Sequence, residues 1–511
     1  MRSVATISVA NNYIRIFGFH DAFEMNVLRK YCKAELAKWG QEAIPGSRKK
    51  KWVVTHVFCR TNNDRTEYRM PKAVLEPLIK FAVSMGFNRA RIELVDEPEI
   101  EGVDCQFSIK DKYSKPREEQ LDWIQYQLAP GALKVNEAAT GTGKTFMALY
   151  CMMMLGKRTL ITIQPRYIPI WQKDLGEMFN IEPKDVLVWE YADLPKLGEL
   201  LKEGKINPKI IILPTTRISS YLRQWRKDGG LPCLDEIFAN INPGLRIIDE
   251  SHESFHELCM SMLYGNFKKT FMLSATLKGD DPFLNRMYAA MAPINIRLKE
   301  PDPENYIDIY AYLYQMDVRR YKIQSQQFGS YNDIAVEKSI LKSKETMDFY
   351  FELADEMYRK FYLDVKEEGT KCLFFFTLVE MCLAMKERFR ERYPGEDFDT
   401  YLGTLDKKTP KKYMEHENLI TTPGSCGTGK DIPGLVTCIS FHTVFSIQRN
   451  KQMIGRLRNL LGKFGGRITP RFIFPVCVDI PKHGDCFHKR KLAFAAKQRN
   501  WKTLQAELSL Q

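Results

Sequence analysis

The stretch Leu133-Lys134-Val135-Asn136-Glu137-Ala138-Ala139-Thr140-Gly141-Thr142-Gly143-Lys144-Thr145-Phe146-Met147 decides how the rest of the chain is read. An apolar strand leads into a glycine-containing loop, and an apolar helix opens at its end. A phosphate-binding loop needs this order. Gly141 and Gly143 let backbone N–H groups turn toward phosphate oxygens, because glycine reaches positive φ without a side-chain clash. Lys144 would reach the β- and γ-phosphates of a nucleoside triphosphate, and Thr145 would hold Mg2+. Thr140 and Thr142 belong to the same loop, and Ala138 stands where the usual first glycine falls.

Around this motif, residues 113–300 alternate apolar strands with helices. Candidate strands are Leu133–Asn136, Thr159–Ile163, Ile210–Leu213, Arg246–Ile248 and Thr270–Leu273. That alternation predicts an α/β fold with a doubly wound parallel sheet. Residues 1–112 read as a small α/β domain, with strands at Tyr13–Phe17, Trp52–Cys59 and Arg91–Val95 and two amphipathic helices. The acidic stretch Asp96–Asp104 is expected to be a linker. Residues 301–478 form a second alternating unit, opening with Pro301–Gln326 as a Tyr-rich connecting strand region. Its expected strands are Cys372–Phe376, Asn418–Thr421, Thr437–Ser440 and Arg471–Val478. Residues 479–511 read as a basic tail ending in a helix.

Composition excludes several classes. The chain has 511 residues, 44% hydrophobic and 27% charged, the balance of an ordinary globular protein. The longest unbroken apolar run, Phe146–Leu155, is too short to span a bilayer. Residues 1–17 lack a stretch of signal-peptide length. The expectation is a cytoplasmic protein with no membrane partner. The twelve cysteines follow no spacing framework and read as reduced thiols. Cys477, His483, Cys486 and His488 match no strong zinc spacing. A net charge of +13 favours a polyanionic partner.

Downstream, Arg246-Ile247-Ile248-Asp249-Glu250-Ser251-His252 delivers two adjacent carboxylates from the end of an apolar strand. Asp249 can complete the Mg2+ shell, and Glu250 can orient and deprotonate an attacking water. A second match to the phosphate-loop pattern, Gly424–Lys430, is a decoy. Asp431 follows it where Ser or Thr should bind Mg2+, and Ile432-Pro433 opposes a helix start.

The chain resembles the superfamily 2 helicases and translocases. Thr140–Thr145, Asp249–His252 and Ser274-Ala275-Thr276 look like motifs I, II and III. Thr421–Leu435, with Gly429 and Asp431, looks like motif V, and Gln452–Arg456 looks like motif VI. Weaker matches are Gln120, where the family reads adenine; Pro165-Arg166 and Thr215–Arg217 at motifs Ia and Ib; and Thr377 at motif IV. Within the superfamily the pattern is most similar to the bacteriophage UvsW-type recombination helicases.

The resemblance implies two RecA-like lobes with ATP and Mg2+ between them. It also implies action on branched or partly single-stranded DNA, including RNA in R-loops, in recombination, repair and replication. Pro165, Arg166, Thr215, Arg217, Thr377 and Thr421 would contact nucleic acid. His252, Ser274, Thr276 and Gln452 would couple the sites. Motif VI departs from its pattern: Asn459 stands where a second arginine is usual, so Arg456 and Arg458 both remain candidates for the finger that neutralises the transferring phosphoryl group. Arg48-Lys49-Lys50-Lys51 beside Trp52 is the N-terminal candidate for phosphate contact. A monomer is expected. An RNA helicase, a translocating subunit of a nuclease complex and a binding protein with a structural ATP site are the rival readings.

Overall fold

The computed structural model describes residues 5–19, 22–43, 50–62, 64–89, 92–138, 142–227, 230–251, 255–274, 277, 281–299, 305–327, 330–403, 415–426, 432–458, 468–495 and 497–511. The chain divides into two compact units, Met1–Glu300 and Pro301–Gln511.

The first unit begins with β1 (Ala5–Val9), β2 (Tyr13–Phe17), α1 (Ala22–Glu35), β3 (Ala37–Ala43), β4 (Lys50–Val57), β5 (Arg60–Thr61), β6 (Tyr68–Pro71), α2 (Leu75–Ser84) and β7 (Ile92–Asp96). Five of these strands form a mixed sheet in the order β5-β6-β2-β1-β7, while β3 and β4 make a separate antiparallel ribbon. The Asp96–Asp104 segment is laid along the rest of the unit. Ile100 N–H donates to Asn266 O at 2.8 Å, Val103 N–H to Asn242 O at 3.1 Å, and Lys157 pairs with Asp104 at 2.7 Å.

There follow α3 (Glu118–Leu128), β8 (Leu133–Glu137), α4 (Lys144–Leu155), β9 (Thr159–Ile163), α5 (Ile168–Met178), β10 (Val186–Val188), α6 (Leu194–Lys202), β11 (Ile210–Pro214), α7 (Thr215–Lys227), α8 (Leu234–Ile241), β12 (Leu245–Ile248), α9 (Phe255–Met262), β13 (Lys269–Ser274), α10 (Pro282–Met291) and β14 (Arg297–Lys299). The strands form one parallel sheet, ordered β10-β11-β9-β12-β13-β8-β14. Strands such as Thr159–Ile163 are buried at every position, as a parallel sheet covered on both faces requires. One face packs Met147, Trp171 and Leu175. The other packs Leu197, Phe238 and Met272 in a core continuous with Tyr13, Ile14 and Leu78 of the N-terminal sheet.

The second unit contains β15 (Ile307–Met316), β16 (Gln326–Gln327), β17 (Ser330–Tyr331), α11 (Asp333–Leu341), α12 (Lys344–Phe361), β18 (Lys371–Phe375), α13 (Val379–Arg392), β19 (Phe398–Tyr401), β20 (Asn418–Thr421), α14 (Pro423–Cys426), β21 (Leu435–Ser440), α15 (Ile447–Ile454), β22 (Arg471–Cys477), α16 (Pro481–Phe494) and β23 (Gln498–Leu510). Its parallel sheet runs β19-β20-β18-β21-β22-β15-β23. Both lobes are thus RecA-like doubly wound parallel sheets, preceded by a small α/β layer.

The Tyr-rich connecting strand region contains β15, which is internal to the sheet. Ile307, Ile309 and Ala311 of β15 enter one core, while Tyr312, Tyr314 and Met316 enter the opposite one. The tail expected to end in a helix ends instead in β23, paired parallel to β15. This strand has one partner and is polar along most of its length, so it lacks the apolar signature of its neighbours.

Candidate nucleotide site

The phosphate-loop strand β8 and the carboxylate-bearing strand β12 flank β13. At the ends of these strands, Ala138 N–H donates to Ser274 O at 3.1 Å and Ser251 N–H donates to Leu273 O at 3.0 Å. The end of β13 therefore touches both halves of the site through its backbone. Ser274 itself is buried.

Helix α4 begins at Lys144, capped by Gly143 in the left-handed region at φ 90°. The positive φ favours glycine here, and a Cβ on Gly143 would lie 2.5 Å from Gln120 Nε2, so any larger residue must also displace the Gln120 amide. Lys144 is buried, and its ammonium donates to Ala138 O at 2.8 Å. Gln120 is buried as well. Its Oε1 accepts the Arg117 N–H at 3.1 Å, and its Nε2 donates to Thr142 O at 3.5 Å. Arg117 Nη2 donates to the same carbonyl at 3.3 Å. Gln120 is therefore joined to the phosphate loop, and Arg117 is a neighbour that sequence reasoning did not single out.

Asp249 follows β12 directly. Its Oδ1 accepts the Glu250 N–H at 2.8 Å, and its Oδ2 accepts the Trp171 Nε1–H at 2.9 Å. Glu250 has φ 46°, an uncommon backbone state for a residue with a side chain. Burial and the neighbouring Glu250 carboxylate push the Asp249 carboxyl upward, against the pull of the Trp171 hydrogen bond and the Lys144 ammonium. Asp174, also on α5, is pushed up to about 6, chiefly by burial, with Glu177 and Asp249 adding to it. A cation would relieve this crowding of negative charge. The Thr145 hydroxyl and the Asp249 carboxylate are oxygen donors, which suits Mg2+.

The expected nucleic-acid contacts divide. Pro165 and Arg166 lie exposed in a tight turn after β9. Thr215 and Arg217 are half-buried on the first turn of α7, where the Thr215 hydroxyl donates to Ile163 O at 3.4 Å. Lys51 is exposed on β4 and pairs with Glu42 across the ribbon at 3.5 Å. Lys50 lies on the same strand, opposite Ala43.

Thr421 and Thr377, the other two expected contacts, have hydroxyls engaged within the second unit. Thr421 is fully buried, with its hydroxyl turned to Tyr401 O. Thr377 is half-buried and hydrogen-bonded to Asp333 Oδ2 and His442 Nδ1, while Glu337 accepts its N–H at 2.7 Å. Both hydroxyls face inward because they close strand ends.

In the second unit, Gln452 lies half-buried on α15. Arg456 is buried in the turn that follows, and Arg458 Nη1 donates to Gly455 O at 2.9 Å. Thr140, Gly141, His252, Thr276, Gly429, Asp431, Arg48 and Lys49 lie outside the described residues.

No protein-family model matches the chain, and no curated protein matches it. Solved structures do. Dbp5 of S. cerevisiae bound to RNA and ADP BeF3 is 14% identical, with coverage of 77% of this chain and 90% of that one and a TM-score of 0.49. The Hef helicase domain of Pyrococcus furiosus is 14% identical, with coverage of 75% and 100% and a TM-score of 0.45. T4 UvsW is 13% identical, with coverage of 99% of both chains and a TM-score of 0.33.

Proposed function

We propose that the chain is an ATP-dependent helicase or translocase of the superfamily 2 kind that acts on branched DNA. The observation that supports this most is the gathering of Gln120, Lys144, Asp249 and Glu250 at the carboxyl ends of internal strands of the first parallel sheet, with β13 bonded to both sides.

In this reading Gln120 reads the base, Thr142 and Gly143 present the loop backbone, and Lys144 exchanges its Ala138 carbonyl for phosphate oxygens. Thr145 and Asp249 hold Mg2+, which neutralises charge on the phosphates when bound. Glu250 orients the attacking water and takes its proton. Arg456 and Arg458 remain the two candidates for the finger that neutralises the transferring phosphoryl group. Cycles of nucleotide binding and hydrolysis then become stepping along the strand. The +13 net charge and the exposed Pro165-Arg166 turn support a nucleic-acid track.

Steady-state ATP hydrolysis is the test of the substrate class, measured with forks, four-way junctions, R-loops, single-stranded DNA and single-stranded RNA. Branched DNA is expected to stimulate most. Stimulation by RNA alone would overturn the DNA assignment, and turnover unaffected by any nucleic acid would overturn the motor.

A further inference from the structure

Trp171 is 1% exposed, yet it carries a polar atom that must be satisfied. That atom, Nε1, donates to Asp249 Oδ2 at 2.9 Å, across 78 positions of sequence. The other carboxylate oxygen accepts the Glu250 N–H at 2.8 Å. Two donors from two different elements therefore fix the carboxylate plane. A carboxylate has about four acceptor sites, so these two bonds leave capacity for a cation. An indole N–H only donates and cannot compete for the metal.

The indole is also held rigidly from behind. Ile168, Trp171, Leu175 and Met178 form the buried face of α5, spaced as one helical stripe. This helix opens straight after the Pro165–Tyr167 turn, where Pro165 and Arg166 are exposed and Tyr167 is buried. The exposed turn and the indole thus belong to one continuous packed segment.

We propose that Trp171 is a positioning residue for Asp249, and that α5 couples the exposed Pro165-Arg166 turn to the metal-holding carboxylate. The inference rests on the nucleotide-site reading above. It adds a buried side chain that would act only through Asp249.

The test uses the full chain with Trp171→Phe, which keeps an aromatic ring and removes the donor. Mn2+ binding in the presence of a non-hydrolysable ATP analogue is followed by electron paramagnetic resonance, and a cooperative melt serves as the folding control. Outer-sphere partners of metal ligands typically set affinity by about tenfold or more, so a weakening of about tenfold is expected. The ratio of DNA-stimulated to unstimulated turnover is expected to fall as well. Wild-type Mn2+ affinity in the folded variant would overturn the positioning role. Weakened Mn2+ with an unchanged stimulation ratio would overturn the coupling through α5. Should Trp171→Phe fail to fold, benzothienylalanine at position 171 keeps the bicyclic volume without the N–H and decides the same question. Lys144→Ala separates the two levels. If the wild-type chain shows no Lys144-dependent analogue binding, the site reading fails; if it does and Trp171→Phe behaves as wild type, this inference alone fails.

Discussion

Arg69 and Asp235 form an ion pair at 2.5 Å that joins the N-terminal mixed sheet to the first parallel lobe. The guanidinium also meets Glu67 at 2.6 Å, donates to Leu263 O at 3.2 Å and lies over the Tyr264 ring at 4.6 Å. Arg69 is buried while Asp235 and Glu67 keep partial access to water, so what is lost is chiefly charge-assisted hydrogen bonding. Arg69→Ala is therefore expected to destabilise the first unit by about 1.5–3 kcal/mol. Denaturant unfolding of the full chain measures it, and a loss near zero would mean that the guanidinium is not part of the weld.

Gly143 offers a sharper local test. Gly143→Ala places a methyl group 2.5 Å from Gln120 Nε2 and forces an L-residue to φ 90°. Strain of this kind costs about 1–3 kcal/mol. Gln120 must also leave the Thr142 carbonyl. Nucleotide affinity, read with a fluorescent ATP analogue, is expected to fall at least tenfold while α4 remains helical. Unchanged affinity would dissociate Gln120 and the loop from binding.

His483 predicts a pH dependence. Its Nδ1 accepts the Cys477 N–H at 3.1 Å and its Nε2 lies 2.8 Å from Tyr331 OH, so the buried ring is held neutral. Burial lowers its pKa from 6.5 to about 4. The folded state thus binds the proton less readily than the unfolded chain. The stabilisation is complete above about pH 6.5 and is lost as pH falls through about 4, amounting to roughly 3 kcal/mol. His483→Asn keeps an acceptor close to Nδ1 without the titration. Melting temperatures between pH 7.5 and 4.5 are expected to fall less steeply for that variant than for wild type.

The exposed Arg166 and the buried Thr421 separate the nucleic-acid contacts. Arg166→Ala is expected to weaken DNA binding across sequences and to reduce the salt slope by about 1, as loss of one phosphate contact does. Thr421→Val is expected to change stability, through loss of the bond to Tyr401 O, and not the salt slope. Fluorescence anisotropy at several salt concentrations measures both. The opposite pattern would place the phosphate track on the second unit's strand ends.

Legibility in the sequence followed the range of the interactions. The phosphate loop and the Asp249-Glu250 pair are local patterns in which strand, turn and helix announce themselves within a few residues. The parallel sheets were legible because fully buried strands such as Ile210–Pro214 are apolar throughout. Strand β23 was hidden because an edge strand with one partner is selected for polarity rather than for alternation. The Trp171–Asp249 bond and the Arg69–Asp235 weld were hidden because side chains on distant elements meet only after the sheets form. The bonds that Thr377 and Thr421 make to Asp333, His442 and Tyr401 were hidden for the same reason.

The most direct test of the central claim is steady-state ATP turnover by the full chain with branched DNA, set beside nucleotide binding, for wild type, Lys144→Ala and Glu250→Gln. The account predicts DNA-stimulated hydrolysis by wild type and near-complete loss in both variants, with Glu250→Gln still binding ATP. Wild-type turnover in either variant would contradict it.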